Sequence, residues 1–350
     1  MRTPRPAAPT SIVLTGPAVL CAFTFSFSSY RGGLSGPRVI HYNRHDTRPA
    51  QNIERAFLLF EATMTTTATE TDYHAAFQGA AGAYSELAAQ QLLGEDLRLL
   101  PSHALEDVFA AVADGRARYG VVPLENTIAG TVPGVYELLL SHELRIVAET
   151  RVAIDHALIG TSAMDLADVR RVLSHPVALG QCRAFLRRHP QIEPVAAFDT
   201  AGAVRLVVDQ DDGVSAAIAG RHAATVYGGK VLAEHLQDHA ENWTRFGLLE
   251  RRAGERRRTG ARRVLLVFDL LHEPGALARA LQPAAERGVN LTKIESRPIA
   301  ARPFEYRFIV ELSSDSATAM AEVLAAMTER TALLRILGEY DAERTGVDHG

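Results

Sequence analysis

Along residues 75–227, short apolar runs alternate with stretches that carry an apolar residue every third or fourth position. Short apolar runs predict strands, and the longer spacing predicts amphipathic helices. The predicted strands lie at residues 75–77, 119–122, 171–173, around 195 and 215–218. The predicted helices lie at residues 85–93, 108–113, 135–140, 178–187, 201–208, 221–227 and 231–237. Alternation of this kind is typical of an α/β domain.

A strand-like run over residues 145–159 separates two sets of these elements, and another begins at Phe246. We therefore predict an α/β domain of two lobes over residues 74–252, with the chain crossing between the lobes near residues 150 and 240. Polar segments follow several of the predicted strands, where clefts of α/β proteins form.

A smaller unit is predicted over residues 263–342. Its strands and helices follow the order βαββαβ, which is ferredoxin-like. Residues 253–262 between the two parts are rich in arginine and contain Gly254 and Gly260. A solvated linker is the favoured interpretation of this segment, and a polyanion-binding patch is the alternative.

Residues 1–73 differ from the rest of the chain. An apolar stretch at residues 12–27 resembles a targeting segment, but Gly16 and Pro17 interrupt it and no clear cleavage site follows. We expect residues 1–73 to be a disordered extension or the product of a misassigned start, with Met64 as a better start. No long helices are predicted in this segment.

Composition narrows the class of protein. The chain has 350 residues, 47% of them hydrophobic and 22% charged, with a net charge of −4. These values are typical of a globular protein and argue against a nucleic-acid surface or a membrane helix. Two cysteines, Cys21 and Cys182, make neither a disulfide framework nor a zinc set, so a reducing, cytoplasmic location is expected. His235 and His239 have helical metal spacing but no apparent further ligands, so no metal or cofactor is expected.

Six polar segments occur in an order that resembles prephenate dehydratases. They are residues 79–86 (Gly-Ala-Ala-Gly-Ala-Tyr-Ser-Glu), 123–130 (Pro-Leu-Glu-Asn-Thr-Ile-Ala-Gly), 174–176 with 181–182, 199–202 (Asp-Thr-Ala-Gly), 242–246 (Asn-Trp-Thr-Arg-Phe) and 295–298 (Glu-Ser-Arg-Pro). The last resembles the signature of the ACT regulatory domain found in these enzymes. Thr127 stands where the family often has serine, which keeps the hydroxyl. The resemblance implies a catalytic domain similar to periplasmic binding proteins, followed by an ACT domain. An N-terminal chorismate mutase is not expected, because that domain needs long helices that residues 1–73 lack.

The resemblance also implies the site. Thr244 is expected to be the catalytic residue that donates a hydrogen bond or a proton to the departing ring hydroxyl of prephenate, with Arg245 beside it. Arg245 has two alternative roles, binding a substrate carboxylate or ordering the loop. The implied substrate-binding residues are Ser85, Asn126, Thr127, Gly130, Ser174, His175, Gln181, Thr200, Ala201 and Phe246.

The residue types suit that chemistry. Prephenate is a dianion, so its site calls for neutral amide, hydroxyl and backbone N–H donors with few carboxylates nearby. Simpler interpretations remain open for several of them. Ser174 and Thr200 also fit helix caps, His175 fits a structural hydrogen bond, and Asn126 and Thr127 fit a loop that caps its own turn.

Regulation by phenylalanine is implied for the smaller unit. The residues expected to bind this effector are Gly275, Ala276, Leu277, Asn290, Leu291, Glu295, Ser296, Arg297 and Pro298. Without the resemblance, Gly275 would simply shape a turn and Glu295 and Arg297 would form a solvated ion pair. ACT domains usually pair between subunits, so a homodimer or homotetramer is expected.

Two other functions remain as alternatives. Arogenate dehydratase performs the same elimination on the aminated substrate, and its discrimination from prephenate depends on contacts that one sequence does not identify. A non-catalytic amino-acid sensor is the alternative outside enzymes, but it has no need for the complete hydroxyl and amide set.

Overall fold

The computed structural model describes residues 26–27, 40–41, 72–252, 263–271, 273–299, 302 and 305–341. Strands β1 (Ser26–Phe27) and β2 (Ile40–His41) form a short antiparallel pair. The rest of the expected extension up to residue 71, and the arginine-rich segment 253–262, lie outside the described residues. Of the described helices, none has the length and apolar character needed to cross a membrane.

The first lobe contains one end of a large sheet and the helices packed against it. Its elements are β3 (Tyr73–Gln78), α1 (Tyr84–Leu93), β4 (Leu99–Ser102), α2 (Leu105–Ala113), β5 (Ala117–Asn126), β6 (Gly130–Thr131), α3 (Val135–Ser141), β7 (Leu144–Ala153) and, returning later, β13 (Trp243–Arg251). In α2 the residues Leu105, Val108, Phe109 and Val112 are buried, which is the spacing that predicts a helix against a sheet. Strand β4 is an element that the apolar pattern did not identify.

The second lobe has its own five-stranded sheet in the order β10-β9-β11-β8-β12. Its elements are β8 (His156–Gly160), a 3₁₀ turn (Leu166–Asp168), β9 (Arg171–Ser174), α4 (Pro176–Gln181), α5 (Arg183–Arg188), β10 (Glu193–Ala196), α6 (Thr200–Gln210), β11 (Ser215–Gly220), α7 (His222–Tyr227) and β12 (Lys230–Ala233). The chain passes between the lobes twice, from β7 to β8 and from β12 to β13.

Two predicted helices are wrong in this lobe. The helix predicted at residues 231–237 is instead β12 followed by a turn, because Val231 pairs with Ile159 of β8 and His235 takes a positive φ of 56°. The helix predicted at residues 178–187 is broken at Cys182 into α4 and α5. Asp238 enters at the break, where its backbone N–H donates to the Gln181 carbonyl and its carboxylate accepts from the Ala184 N–H.

The C-terminal unit, residues 263–341, forms the predicted βαββαβ order. Its elements are β14 (Arg263–Asp269), α8 (Ala276–Glu286), β15 (Asn290–Pro298), β16 (Tyr306–Ser313), α9 (Ala317–Glu329) and β17 (Leu333–Tyr340). Its sheet continues that of the first lobe, in the order β15-β16-β14-β17-β7-β13-β5-β3-β4, with β6 on β5. A Cβ at Gly338 would lie 2.8 Å from the Ile146 Cβ, so glycine permits the contact between β17 and β7.

One apolar core is shared by the first lobe and the C-terminal unit. Its fully buried side chains include Tyr136 and Leu124 from the lobe and Leu265, Leu337 and Tyr340 from the unit. Burying each such large apolar side chain contributes roughly 1.5–3 kcal/mol. The two parts are therefore packed together over a continuous apolar surface.

Candidate active site

Thr244 and Asn126 meet at the ends of two neighbouring strands. They are paired residues of the antiparallel strands β13 and β5, and Asn126 Oδ1 lies 3.5 Å from the side-chain nitrogen of Gln181 in the second lobe. The Asn126 side-chain nitrogen donates to Thr244 Oγ1 at 3.0 Å, and it also lies 2.8 Å from Asn242 Oδ1 and 3.1 Å from the Trp243 carbonyl. Because Oγ1 accepts this bond, the proton of the Thr244 hydroxyl is left to point elsewhere. The expected catalytic hydroxyl is thus oriented as a donor.

A chain of neutral groups continues from this pair into the second lobe. Asn242 donates to Gln181 Oε1 at 3.1 Å, and the His156 Nε2 atom lies 2.9 Å from the same oxygen. On its other side, His156 Nδ1 lies 3.2 Å from the hydroxyl of Tyr84, which donates to the Asp155 carbonyl. We call Tyr84, Asn126, His156, Gln181, Asn242 and Thr244 the neutral network.

Burial keeps this network uncharged. It lowers the pKa of His156 below its ordinary value, although the bond to Gln181 and the nearby Asp155 act in the opposite direction. Burial likewise raises the pKa of Tyr84 well above its ordinary value. The network therefore presents amides, hydroxyls and a neutral imidazole, a donor set that suits an anionic substrate.

The loop after β5 depends on the same asparagine. Asn126 Oδ1 accepts from the backbone N–H groups of Ile128 at 3.0 Å and Ala129 at 2.8 Å. Thr127 Oγ1 accepts from the Trp243 N–H and donates to the Glu241 carbonyl, so it connects the loop to the segment before β13. Gly130 takes a φ of 80° and pairs with Asn126. Thr127 and Gly130 thus shape the loop that positions Asn126.

An open cavity of about 580 Å³ borders this loop. It is lined by Thr127, Ile128, Asp238, His239, Ala240 and Glu241. Two carboxylates in that lining make it a poor site for a dianion. The neutral network does not line it.

Other expected substrate-binding residues make local contacts of their own. Ser174 is fully buried and donates to the Ile218 carbonyl at 2.5 Å. His175 caps α4 through its ring nitrogen, which accepts from the Val177 N–H, and burial lowers its pKa. Thr200 begins α6, but the capping side chain is that of Asp199, which accepts from the Gly202 N–H. None of these contacts reaches Thr244.

Three more expected residues are buried beside the lobe junction. Ala201 and Phe246 belong to the apolar core between the lobes, and Ser85 is buried in the first turn of α1. Gly82, before α1, takes a φ of 85°, and a Cβ there would lie 3.0 Å from the Ala223 backbone and 3.6 Å from the Ala201 Cβ. Glycine thus lets the first lobe approach the second closely at this point.

Arg245 faces away from the neutral network, toward the C-terminal unit. Its guanidinium donates to Glu125 at 3.1 Å, to Glu149 at 3.0 Å and to Glu311 of β16. Arg263 of β14 also pairs with Glu149 and Glu311, at 3.0 and 3.2 Å. We call these five residues the Arg245 cluster.

Thr244 and Arg245 are adjacent on a strand, so their side chains point to opposite faces of the sheet. The expected role of Arg245 beside the departing hydroxyl therefore has no contact in this geometry to support it.

Charge pairing controls the protonation of the cluster. Burial raises the pKa of Glu149 despite the two arginines. Burial also acts to raise the pKa of Glu311, but Arg245 and the hydrogen bond from Thr292 outweigh it and lower that pKa. Glu311 is accordingly an ionised, buried carboxylate.

Among the described residues, no group of three or more His, Cys, Asp or Glu side chains is arranged to hold a metal ion.

The two segments expected to bind the effector are separate within one chain. Ala276 and Leu277 line a small cavity of about 130 Å³. Its other lining residues are Leu270, Leu271, Glu273, Glu305, Tyr306 and Phe308. Gly275 precedes it as the N-cap of α8, with a φ of 77°. Asn290, Leu291, Glu295, Ser296, Arg297 and Pro298 lie on β15, at the edge of the sheet, and do not line this cavity.

His156, Asn242 and Tyr84 are the network residues that the sequence-based site did not include. Tyr84 and Asn242 lie within two of the six segments that resemble the family, residues 79–86 and 242–246, so the sequence could have identified them as site residues. His156 lies in an otherwise apolar, fully buried strand, and a histidine in such a strand must find polar partners. A histidine within an apolar run was thus the sequence feature that could have identified His156 as a member of a buried polar network.

Comparison with known proteins identifies relatives over most of the chain. Residues 75–254 match the family model described as prephenate dehydratase. "Arogenate dehydratase/prephenate dehydratase 2, chloroplastic" of Arabidopsis thaliana is 36% identical over 283 residues, covering 77% of this chain and 73% of that protein. The prephenate dehydratase of Arthrobacter aurescens in complex with L-Phe is 32% identical, with a TM-score of 0.69, over 76% of this chain and 89% of that one. A structure described as GqqA, a novel type of quorum quenching acylase, is 34% identical, with a TM-score of 0.70, over 77% of this chain and 98% of that one.

Proposed function

Because the chain belongs to the prephenate dehydratase family, we propose that it converts prephenate to phenylpyruvate with loss of water and carbon dioxide. The bond from the ring to its carboxylate breaks, and its electron pair enters the ring. The ring C–O bond breaks at the opposite carbon, and the departing hydroxide leaves as water after taking a proton. The ring becomes aromatic without net oxidation, so the elimination needs no redox cofactor.

The observation that supports this proposal is the hydrogen bond from Asn126 to Thr244 Oγ1. It leaves the threonine hydroxyl free to donate to the departing oxygen, where negative charge develops in the transition state. A donor fixed in a buried site needs little reorganisation during the reaction. Neutral donors around it also avoid repelling the dianionic substrate.

The same geometry favours elimination over amide hydrolysis. An acylase that used Thr244 as a nucleophile would need a general base within hydrogen-bond reach of Oγ1. The described partner of Oγ1 is the amide of Asn126, which donates and cannot accept a proton there. We therefore do not extend the acylase description of the structural relative to this chain.

Arogenate is the second candidate substrate, because one similar relative carries both dehydratase names. The two substrates differ in a keto or an amino group on the side chain, away from the departing hydroxyl. The elimination and the role of Thr244 are the same for both.

For the C-terminal unit we propose an ACT regulatory domain that binds phenylalanine. Support comes from its βαββαβ order, from the cavity beside Ala276 and Leu277, and from the Arthrobacter aurescens relative in complex with L-Phe. Strand β15 is an edge strand, and a second copy paired along it would bring the Glu295–Pro298 segment toward such a cavity. We propose a homodimer or homotetramer on that basis, in a reducing, cytoplasmic location.

The test uses the purified full-length chain with prephenate and arogenate in parallel. Phenylpyruvate from prephenate is followed by its absorbance in alkali, and phenylalanine from arogenate by chromatography. Turnover of either substrate that is lost in Thr244→Ala supports the proposed elimination, and the faster substrate decides the name. A chain that binds phenylalanine but turns over neither substrate would be a sensor, and the proposal would fail.

A further inference from the structure

The C-terminal unit contacts the residue next to Thr244. Glu311 of β16 accepts from Arg245, and it also accepts from Tyr340 at 2.9 Å and from Thr292 at 2.6 Å. The side chain of Glu311 is 2% exposed and that of Arg245 is 11% exposed. Separating a buried pair of this kind leaves uncompensated charge, so the two side chains stay together when either strand moves.

The same unit contacts the hairpin next to Asn126. Thr131 of β6 donates to Glu295 of β15 at 2.8 Å and accepts from Lys293 at 2.8 Å. Lys293 also lies 3.4 Å from Glu125, which directly precedes Asn126. We call Thr131, Lys293, Glu295 and Glu125 the Thr131 cluster. In the hairpin, Thr131 pairs with Glu125 and Gly130 pairs with Asn126.

These two sets of contacts lie next to the two residues that share one hydrogen bond, Thr244 and Asn126. The Arg245 cluster is attached at the residue after Thr244, and the Thr131 cluster at the residue before Asn126. Arg245 pairs with Glu125, and the register of β13 on β5 shifts directly after them, because Phe246 pairs with Pro123. The bulge therefore lies next to the two residues through which the clusters act, where the backbone ladder holds the strands less tightly.

We propose that Thr131 and Glu311 are positioning residues, through which the C-terminal unit sets the distance and angle between Asn126 and Thr244. This inference rests on the proposed function. Displacing a reacting group by about 1 Å costs up to roughly a hundredfold in rate, so small movements of β15 or β16 are sufficient to change turnover. Glu295 belongs to the segment expected to bind phenylalanine, so effector binding there would act on Thr131 directly.

The test compares Thr131→Val, which removes the hydroxyl but keeps the shape, with Thr131→Ser, which keeps the hydroxyl. We expect Thr131→Val to lower kcat about tenfold with KM nearly unchanged, and Thr131→Ser to restore kcat. We also expect the maximal inhibition by saturating phenylalanine to weaken at least about fivefold in Thr131→Val, while calorimetry gives an unchanged dissociation constant for phenylalanine. Thr328→Val is the matched control, because the Thr328 hydroxyl donates only within its own helix, to the Leu324 carbonyl, and no effect is expected.

Hydrogen exchange separates this inference from the proposed function. The Ile128 and Ala129 amides donate to Asn126, so weaker positioning of the hairpin should speed their exchange in Thr131→Val and not in Thr328→Val. If wild type turns over neither substrate, the proposed function fails, and exchange alone decides whether the contacts position the hairpin. Wild-type kcat, wild-type inhibition and unchanged exchange in Thr131→Val would overturn the inference.

Discussion

Two buried polar networks lie on opposite faces of strand β13, and they are built from different chemistry. The neutral network on the lobe side consists of amides, hydroxyls and an uncharged imidazole. The Arg245 cluster on the other side consists of ion pairs, some within the first lobe and some between that lobe and the C-terminal unit. Adjacent residues, Thr244 and Arg245, belong to different networks.

The difference follows from what each face must contact. A face that receives a dianion gains from donors without fixed negative charge, because nearby carboxylates would repel the substrate and compete for the donors. A face that joins two parts of one chain can use carboxylates freely, provided that each one is paired. The alternation of side chains along one strand allows both in adjacent positions.

The largest expected effect comes from removing the hydroxyl of the neutral network. Thr244→Ala should lower kcat by about 10²–10⁴-fold, because the departing oxygen loses its proton donor. Thr244→Ser keeps the hydroxyl and should retain activity within about tenfold of wild type. Urea unfolding should be nearly unchanged, which separates lost chemistry from lost structure. Near-wild-type turnover by Thr244→Ala would contradict the assignment.

A carboxylate placed in the neutral network tests whether its neutrality matters. Asn126→Asp turns the donor to Thr244 Oγ1 into an acceptor, so the threonine hydroxyl would donate to the aspartate instead of the substrate. We expect kcat/KM to fall by about 10²–10³-fold. Gln210→Glu adds the same charge at the exposed C-terminal end of α6, which contributes no residue to the network, and should have little effect. Equal, small losses in the two variants would show that charge is unimportant here.

Breaking the Arg245 cluster should mainly lower the free energy of unfolding. Arg245→Met leaves the buried carboxylates of Glu149 and Glu311 with fewer partners, and we expect a loss of about 3–5 kcal/mol in the free energy of unfolding. Arg221→Ala removes an exposed pair with Glu234 and should cost no more than about 1 kcal/mol. Urea unfolding of both variants measures the contrast. Equal losses would mean that the cluster does not join the two parts.

The smallest expected effect is the pH dependence contributed by His156. Burial lowers its pKa in the folded state, so the unfolded chain takes up a proton at higher pH than the folded chain does. The stability that this residue contributes is complete above the ordinary histidine pKa of about 6.5, and it is lost as the pH falls from that value through the lower pKa of the folded state. His156→Gln should therefore flatten the fall in stability between about pH 8 and pH 5. A pH profile of His156→Gln as steep as that of wild type would contradict this role of His156.

Local sequence pattern predicted most of the elements. The βαββαβ order of the C-terminal unit agrees with the pattern, and the helices α1, α2, α3 and α6 agree with it within a few residues. The pattern failed where long-range contacts decide the conformation. Residues 230–233 form a strand because they pair with β8. The predicted helix at residues 178–187 is interrupted at Cys182, where Asp238 forms hydrogen bonds with the backbone.

The sequence by itself determined the succession of elements, the motifs and the presence of Asn126 and Thr244 as donors. Only the tertiary structure decided that these two residues, 118 positions apart, share a hydrogen bond. It also decided that Arg245 turns toward the C-terminal unit and that His156 joins the neutral network. The reason is physical: periodicity is set by residues close in the chain, whereas the register of β13 against β5 and β7 is set by pairing between distant strands.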